Sequence, residues 1–411
     1  MSWRGKHPVL VVQADTLGAL AVIRSLGRAG YPVHACSTET NAVGFASRFP
    51  ASKVVCPSYG SAQFLPWLRD YVHRHGIEAI VPSESLLLCL RPVLSEFAPL
   101  LCCSQDEETL YAALSKFDLF ERLTACTSSL DRDHLPPTLL IPDTRFPSAS
   151  QELRQLPTPL YVKVDGSYAS RAENGGVFKS ASAEEALALL KELAPRFRKA
   201  IVQGHVPGRG VGAFFLIHRG EVRAEFMHLR LHETPHTGGA SSFRQSWRHS
   251  AIREDALSKL RRMNWEGVAM MEYRWDPVSD RFYLMELNSR FWGSLHLALW
   301  SGVDFPRLLL DAFHGRPSPP TREYPLGVRC RYTFPGEIQY VVSRLRDPSL
   351  KILAKIWSVL EFFVLSLNPG IHSDLAFPKD HQPYFSGIKG SIEWIKKSFL
   401  RESLQNCHAT Q

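Results

Sequence analysis

The sequence has no run of five basic residues, no zinc-finger spacing and no RNP-like string, so a nucleic-acid partner is not expected. Lys and Arg number 48 against 40 Asp and Glu, and the net charge of +8 suits a small anionic ligand instead. Only eight cysteines occur in 411 residues and none forms a C-x-x-C pair, so the expected state is free thiols in a reducing compartment. No apolar stretch reaches the ~20 residues of a membrane helix, and Gln13 and Asp15 interrupt the first apolar run. The expected address is therefore cytoplasmic. There is no G-x-S-x-G elbow, no G-x-x-x-x-G-K-[ST] loop and no Gly-x-Gly-x-x-Gly turn, since only Gly18 stands in the turn 13–18. A serine hydrolase, a P-loop enzyme and a dinucleotide binder lose their sequence support together. What is present is ordinary globular material, 45% hydrophobic and 21% charged, in a length that suits two or three domains.

Apolar runs at 8–13, 32–36 and 77–81 alternate with helical patterns at 17–29 and 64–75. Such alternation predicts an α/β unit with a parallel sheet over about the first 110 residues. Beyond it the pattern changes. Strands are expected at 160–164, 177–179 and through 201–231, and helices at 183–193 and 254–263. The runs 268–275 and 281–287 flank the turn-rich Asp276–Asp280 and predict an antiparallel hairpin. Four prolines in residues 316–325 mark a boundary, and 316–411 holds 13 Lys and Arg against 8 Asp and Glu.

The hairpin carries the first chemistry. Side chains alternate along a strand, so Glu286, Asn288 and Arg290 share a face, and Glu272 falls opposite positions 284–286. Two carboxylates inside an apolar hairpin repel unless a cation joins them, and an all-oxygen set suits Mg²⁺. Surface carboxylates paired with Arg274 and Arg281 are the plainer alternative. Lys163 lies within the apolar strand YVKVD, where a lysine either snorkels or meets an anion. The polar loop 165–176 after it contains Gly166, Gly175 and Gly176, whose backbone N–H groups can cradle phosphate oxygens.

Taken in order, these pieces resemble the ATP-grasp superfamily, and within it the carbamoyl-phosphate-synthase-like, carboxylate–amine ligase branch. Lys116 in SKFD and Lys163 match the family's two ATP-binding lysines. Gln203, Gly204, His205 and Val206 match its adenine-contacting hinge. Glu272, then Glu286, Asn288 and Arg290, match its metal signature. Gly204 stands where the family often has Glu, and Arg209 where an acidic residue is common near the ribose. The resemblance implies a Rossmann-like pre-ATP-grasp domain at 1–112, an ATP-grasp domain at 113–315 divided at 200/201, and a C-terminal helical extension at 316–411 of unassigned role. It implies ATP and Mg²⁺ (Mn²⁺ as alternative) as cofactors, with Glu272, Glu286 and Asn288 holding the metal. Lys163 and Arg290 take catalytic roles, and Arg230, Gly238 and Gly239 lie on the substrate side. The implied reaction joins a small carboxylate and an amine through an acyl phosphate, releasing ADP and phosphate. A carboxyphosphate-forming carboxylase is the alternative, although no biotinylation segment or second ATP-grasp copy is present. A non-catalytic ATP binder is the third reading.

Arg244 and Arg248, near the Gly-Gly segment, are further candidates for holding a carboxylate. His228, His232 and His236 are spaced by four but fall on an expected strand, so zinc is not expected. Residues 350–367 are apolar and interrupted by Lys351, Lys355 and Glu361. Packing against the main body or a second subunit is expected of them rather than a membrane surface, and a homodimer is compatible with this.

Overall fold

The computed structural model describes residues 6–103, 106–125, 134–145, 150–170 and 173–394. A first sheet, in order β3-β2-β1-β4, is built from β1 (Val9–Val11), β2 (Val33–Ser37), β3 (Ser52–Val55) and β4 (Ala79–Val81), all parallel. Every residue of β1, β2 and β4 is buried, as befits strands covered on both faces, whereas edge strand β3 alternates. The two expected helices are present as Leu17–Arg28, which Thr16 caps through the Ala19 N–H, and Phe64–His75, which Gly76 closes at φ 56°. The strand order reverses between β1 and β4, so their C-terminal ends open a crevice.

A second sheet, β5-β8-β6-β7, comprises β5 (Thr138–Ile141), β6 (Leu160–Val164), β7 (Gly176–Ser180) and β8 (Ala200–Gln203), and its paired neighbours are antiparallel. Val162 and Val164 pack with Ala186 and Leu190 of the helix Ala183–Leu193. Alternation therefore turns Lys163 to the other face, beside its cross-strand partner Ile201, which packs on Phe117 and Phe120. The expected division at 200/201 falls inside β8, which carries this sheet on to Gln203.

The third sheet has seven strands in the order β13-β12-β9-β10-β11-β14-β15. It uses β9 (Arg209–His218), β10 (Glu221–Thr234), β11 (Ala240–Ser246), β12 (Gly267–Trp275), β13 (Phe282–Asn288), β14 (Arg329–Arg331) and β15 (Ile371–Ser373). One face (Phe215, Met271, Tyr273) packs on Ile252, Ala256 and Leu260 of the helix Ser250–Arg262. The other (Phe214, Leu216, Met270) shares a core with Trp292, with the helices Leu295–Trp300 and Phe305–Phe313, and with Val22 and Leu26 of the first helix. The extension after 316 is not purely helical, because β14 pairs with β11 and β15 pairs with β14. Its helices are Ile338–Arg346, Ile352–Ser366 and 382–394. Among the described residues no helix is long and apolar enough to cross a membrane.

Candidate active site

The expected hairpin is present, and its register pairs Glu272 with Glu286 and Met270 with Asn288. The register shifts between Glu272 and Tyr273, a bulge that lets Leu284 and Leu287 both enter the core while Glu286 and Asn288 keep to the opposite face. Asn288 Nδ2 donates to Glu286 Oε1 at 3.0 Å and to Glu272 Oε1 at 3.3 Å, holding the two carboxylates around one point. An amide turned over presents Oδ1 to the same point, which makes an all-oxygen set suited to a hard cation. Among the described residues there is no group of three or more His, Cys, Asp or Glu that could hold a metal. Any ion here thus depends on the amide and on further oxygens from a ligand.

Cations surround this pair. Lys116 Nζ lies 3.2 Å from Glu286 Oε2 and 3.8 Å from Asp165 Oδ1. Arg230 donates to Glu272, lies 3.4 Å from Glu233 and bonds the Gly239 carbonyl at 3.0 Å. Burial disfavours the Glu286 anion, but Lys116 and Lys163 outweigh it and hold the carboxyl below its ordinary range. Burial pushes the Glu272 carboxyl up despite Arg230, and neighbouring Glu286 adds to the rise. Glu286 pushes Lys116 up against the effect of its burial. Lys163 goes the other way. Burial brings it down to about 8, with nearby Lys116 also lowering it and Glu286 opposing.

Asp165 is a site residue that the sequence reading passed over. Its Oδ2 accepts from the Phe117 N–H at 3.2 Å and lies 3.4 Å from Ser115 Oγ, tying the loop after β6 to the start of the helix Lys116–Ala125. A carboxylate directly following the apolar strand YVKV was the available signal. A cavity of about 510 Å³ opens from this cluster toward the crevice of the first sheet. Lys116, Asp165, Glu286 and Asn288 line one end, and Gln13, Thr16 and Glu84 the other, with Arg290 also in its wall. Gln13 has φ 52° and bonds Ser85 through its amide at 3.2 Å, a strained backbone position at the cavity rim. Arg290 Nε lies 3.8 Å from Glu84.

The hinge stretch runs from β8 toward β9. Gln203 is buried and donates to Thr138 Oγ1 at 3.0 Å. The N–H groups of Gly204 and His205 donate to the carbonyls of Pro137 and Pro157. A Cβ on Gly204 would lie 2.6 Å from Pro157 Cδ, which explains the missing side chain at this position. His205 is exposed, and Val206 is buried. Gly238 (φ 131°) and Gly239 form the tight end of the β10–β11 hairpin, where a Cβ on Gly239 would meet the Thr234 carbonyl at 2.2 Å.

Two candidate carboxylate holders are engaged elsewhere. Arg244 is fully buried and paired with Asp374, so it is a structural cation rather than a carboxylate holder. Arg248 pairs with Glu323. The histidines also separate. His232 meets Glu337 at 3.0 Å, His236 meets Asp347 at 2.8 Å, and His228 is buried against Phe214.

No protein-family model and no curated protein sequence matches the chain. Solved structures do. Biotin carboxylase from Campylobacter jejuni, in a β,γ-ATP complex, is similar at TM-score 0.58 and 13% identity over 78% of this chain and 74% of that one. L-amino acid ligase from Bacillus licheniformis is similar at 0.55 and 14%, over 75% and 74%. N5-carboxyaminoimidazole ribonucleotide synthetase from Thermus thermophilus is similar at 0.57 and 17%, over 78% and 81%. At such identities the shared property is the fold, and the chain has the ATP-grasp fold.

Proposed function

We propose that this chain is an ATP-dependent carboxylate–amine ligase that works through an acyl phosphate and releases ADP and phosphate. The observation that carries the reading is the convergence of Glu286 and Asn288 from the large sheet with Lys116 and Asp165 at one end of a cavity, with Glu272 tied to Glu286 through Asn288 and buried Lys163 within the field of Glu286. In this reading Glu272, Glu286 and Asn288 hold Mg²⁺, which when bound neutralises nucleotide phosphate charge. Lys116 and Lys163 bind phosphate oxygens. Gln203, Gly204, His205 and Val206 border the adenine. Arg290 orients the substrate carboxylate so that one of its oxygens attacks the terminal phosphorus and ADP leaves. The amine then attacks the acyl carbon and phosphate departs. Arg230, with Gly238 and Gly239 behind it, fixes Glu272 and reaches substrate only through it.

The test is turnover of Mg²⁺·ATP with pooled carboxylates and hydroxylamine as the amine. ADP together with a hydroxamate in one pool is the expected result. AMP would overturn the acyl-phosphate step, and ADP formed with bicarbonate alone would select the carboxylase reading.

A further inference from the structure

Opposite charges stand side by side in the wall of the cavity. Glu84 begins the short helix Glu84–Leu90 that follows β4, and Arg290 follows β13. Arg290 Nε lies 3.8 Å from the Glu84 carboxylate, beyond hydrogen-bond range, and the two side chains are 33% and 40% exposed. Among the described residues Arg290 makes one hydrogen bond, to the Phe291 carbonyl at 3.2 Å, which leaves the rest of its guanidinium to a ligand. The neighbours at this end are neutral. Thr16 donates to the Gln13 carbonyl at 3.0 Å, the Gln13 amide donates to Ser85 at 3.2 Å, and Ser83 accepts from the Leu86 N–H. Lys116 is the other cation of the cavity wall. Glu286, then Asp165 and Glu84, raise its pKa, so Lys116 lies within the field of Glu84.

We propose that the carboxylate substrate is an α-amino acid, whose ammonium group binds Glu84 while its carboxylate binds Arg290. The inference rests on the ligase reading, in which phosphate oxygens occupy Lys116 and the substrate carboxylate occupies Arg290. Both cations near Glu84 are then taken up by anions. Glu84 would face two added negative groups, and an uncompensated carboxylate in a cavity is unfavourable. A cation carried by the substrate itself restores the balance. Covalent geometry fixes where that cation sits. In an α-amino acid the ammonium nitrogen and the carboxylate carbon are two bonds apart, about 2.5 Å. Laid against an acid and a base 3.8 Å apart, such a zwitterion sets each charge beside its opposite. A plain carboxylate would leave Glu84 without a partner, and an ω-amino acid would carry its ammonium past it. An ammonium has three protons to place, and Gln13 Oε1 and Ser85 Oγ are acceptors in the same wall.

The experiment is titration calorimetry of the full chain, saturated with Mg²⁺ and ADP, against pools of the protein α-amino acids. The amino acid bound best is then compared with its des-amino acid and with the ω-amino acid of the same length. It should bind at least about tenfold tighter than either, because a site built around a polar partner rejects the ligand that lacks it. Glu84→Gln should lower amino-acid affinity at least about tenfold and abolish the preference over the des-amino acid, a change of selectivity that a merely structural role would not produce. Its unfolding midpoint should stay close to that of the wild type, since a partly exposed pair at this distance adds little stability. Failure to bind any α-amino acid overturns the inference, as does a preference that survives in Glu84→Gln. Turnover of Mg²⁺·ATP with hydroxylamine separates this from the fate of the ligase reading. ADP and hydroxamate from plain carboxylates alone overturn the inference and keep the ligase. An α-amino acid held through Glu84 that yields no ADP supports the assignment of Glu84 and overturns the ligase reading instead.

Discussion

Two lysines and one amide act on Glu286, and together they decide its charge. Lys116 sits 3.2 Å away, Lys163 adds its field from β6, and Asn288 donates at 3.0 Å. Glu286→Gln keeps the volume and removes the charge on which all three act. Under the proposed reading Mg²⁺·ATP turnover should fall at least about 100-fold, while circular dichroism still reports the folded sheets. Lys163 supplies a second test. Burial holds its amine near 8, so the free protein loses this cation as pH rises through that value. Bound phosphates favour the charged form and raise the value, so nucleotide binding near pH 8 should take up protons. Affinity for ATP should be level below pH 8 and decline above it, by up to about tenfold per pH unit. Calorimetry in buffers of different ionisation enthalpy measures the uptake, and Lys163→Arg should remove it, because a guanidinium stays charged throughout. Lys163 and Glu286 were legible because a lysine or carboxylate in an apolar strand contradicts its neighbours, whereas Lys116, at the start of a helix, was reached only through the family resemblance. Asp165 was less legible, since its partners at 115–117 lie about 50 positions away, and the cavity beside Gln13 depends on how two sheets meet.

At the level of elements, period-two alternation exposed the β12–β13 hairpin and the Glu272–Glu286 pairing, because the intervening turn is short enough to set the register. It could not place β14 and β15, each three residues long and therefore without a measurable period. The bulge within β12–β13 was hidden for a different reason, since an extra residue leaves composition unchanged. The hinge after β8 shows how an element constrains a site. Gly204 lets the chain pass against Pro157, and a methyl group there would sit 2.6 Å from Pro157 Cδ and 3.0 Å from its nitrogen. Proline cannot swing aside as a flexible side chain can. Gly204→Ala should therefore destabilise the protein by about 1–3 kcal/mol, as overpacking of a close contact does. Urea unfolding checks the loss. An undiminished stability would mean that the hinge has slack, and the Gly in place of Glu would then need another cause.

Across the whole molecule, buried charges join parts that the sequence keeps far apart. Arg24, on the first helix, bonds Asp380 at 2.7 Å and His296 at 2.8 Å, and it donates to the Leu375 carbonyl at 2.7 Å. Asp380 also accepts from Ser47 and from the Arg48 N–H, both at 2.9 Å. One turn of the extension away, Asp374 pairs with Arg244 of β11 and accepts from Cys330. Two arginines and two aspartates, all fully buried, thus tie the first sheet's helix, the large sheet and the extension into one unit. No sequence period could reveal pairs separated by 356 and 130 positions. Replacing such an ion pair whole can cost little, but removing one partner leaves an uncompensated charge in the core. Asp380→Ala should lower the unfolding free energy by about 3–5 kcal/mol, a large share of the roughly 5–15 kcal/mol a folded protein has. Asp380→Asn, which still accepts from Arg24, should cost less. If the extension were an independent appendage, Asp380→Ala would release it while the rest unfolded at the wild-type urea midpoint. A shared network predicts instead one cooperative transition, shifted as a whole, because the charge left behind lies in the helix that packs against both sheets.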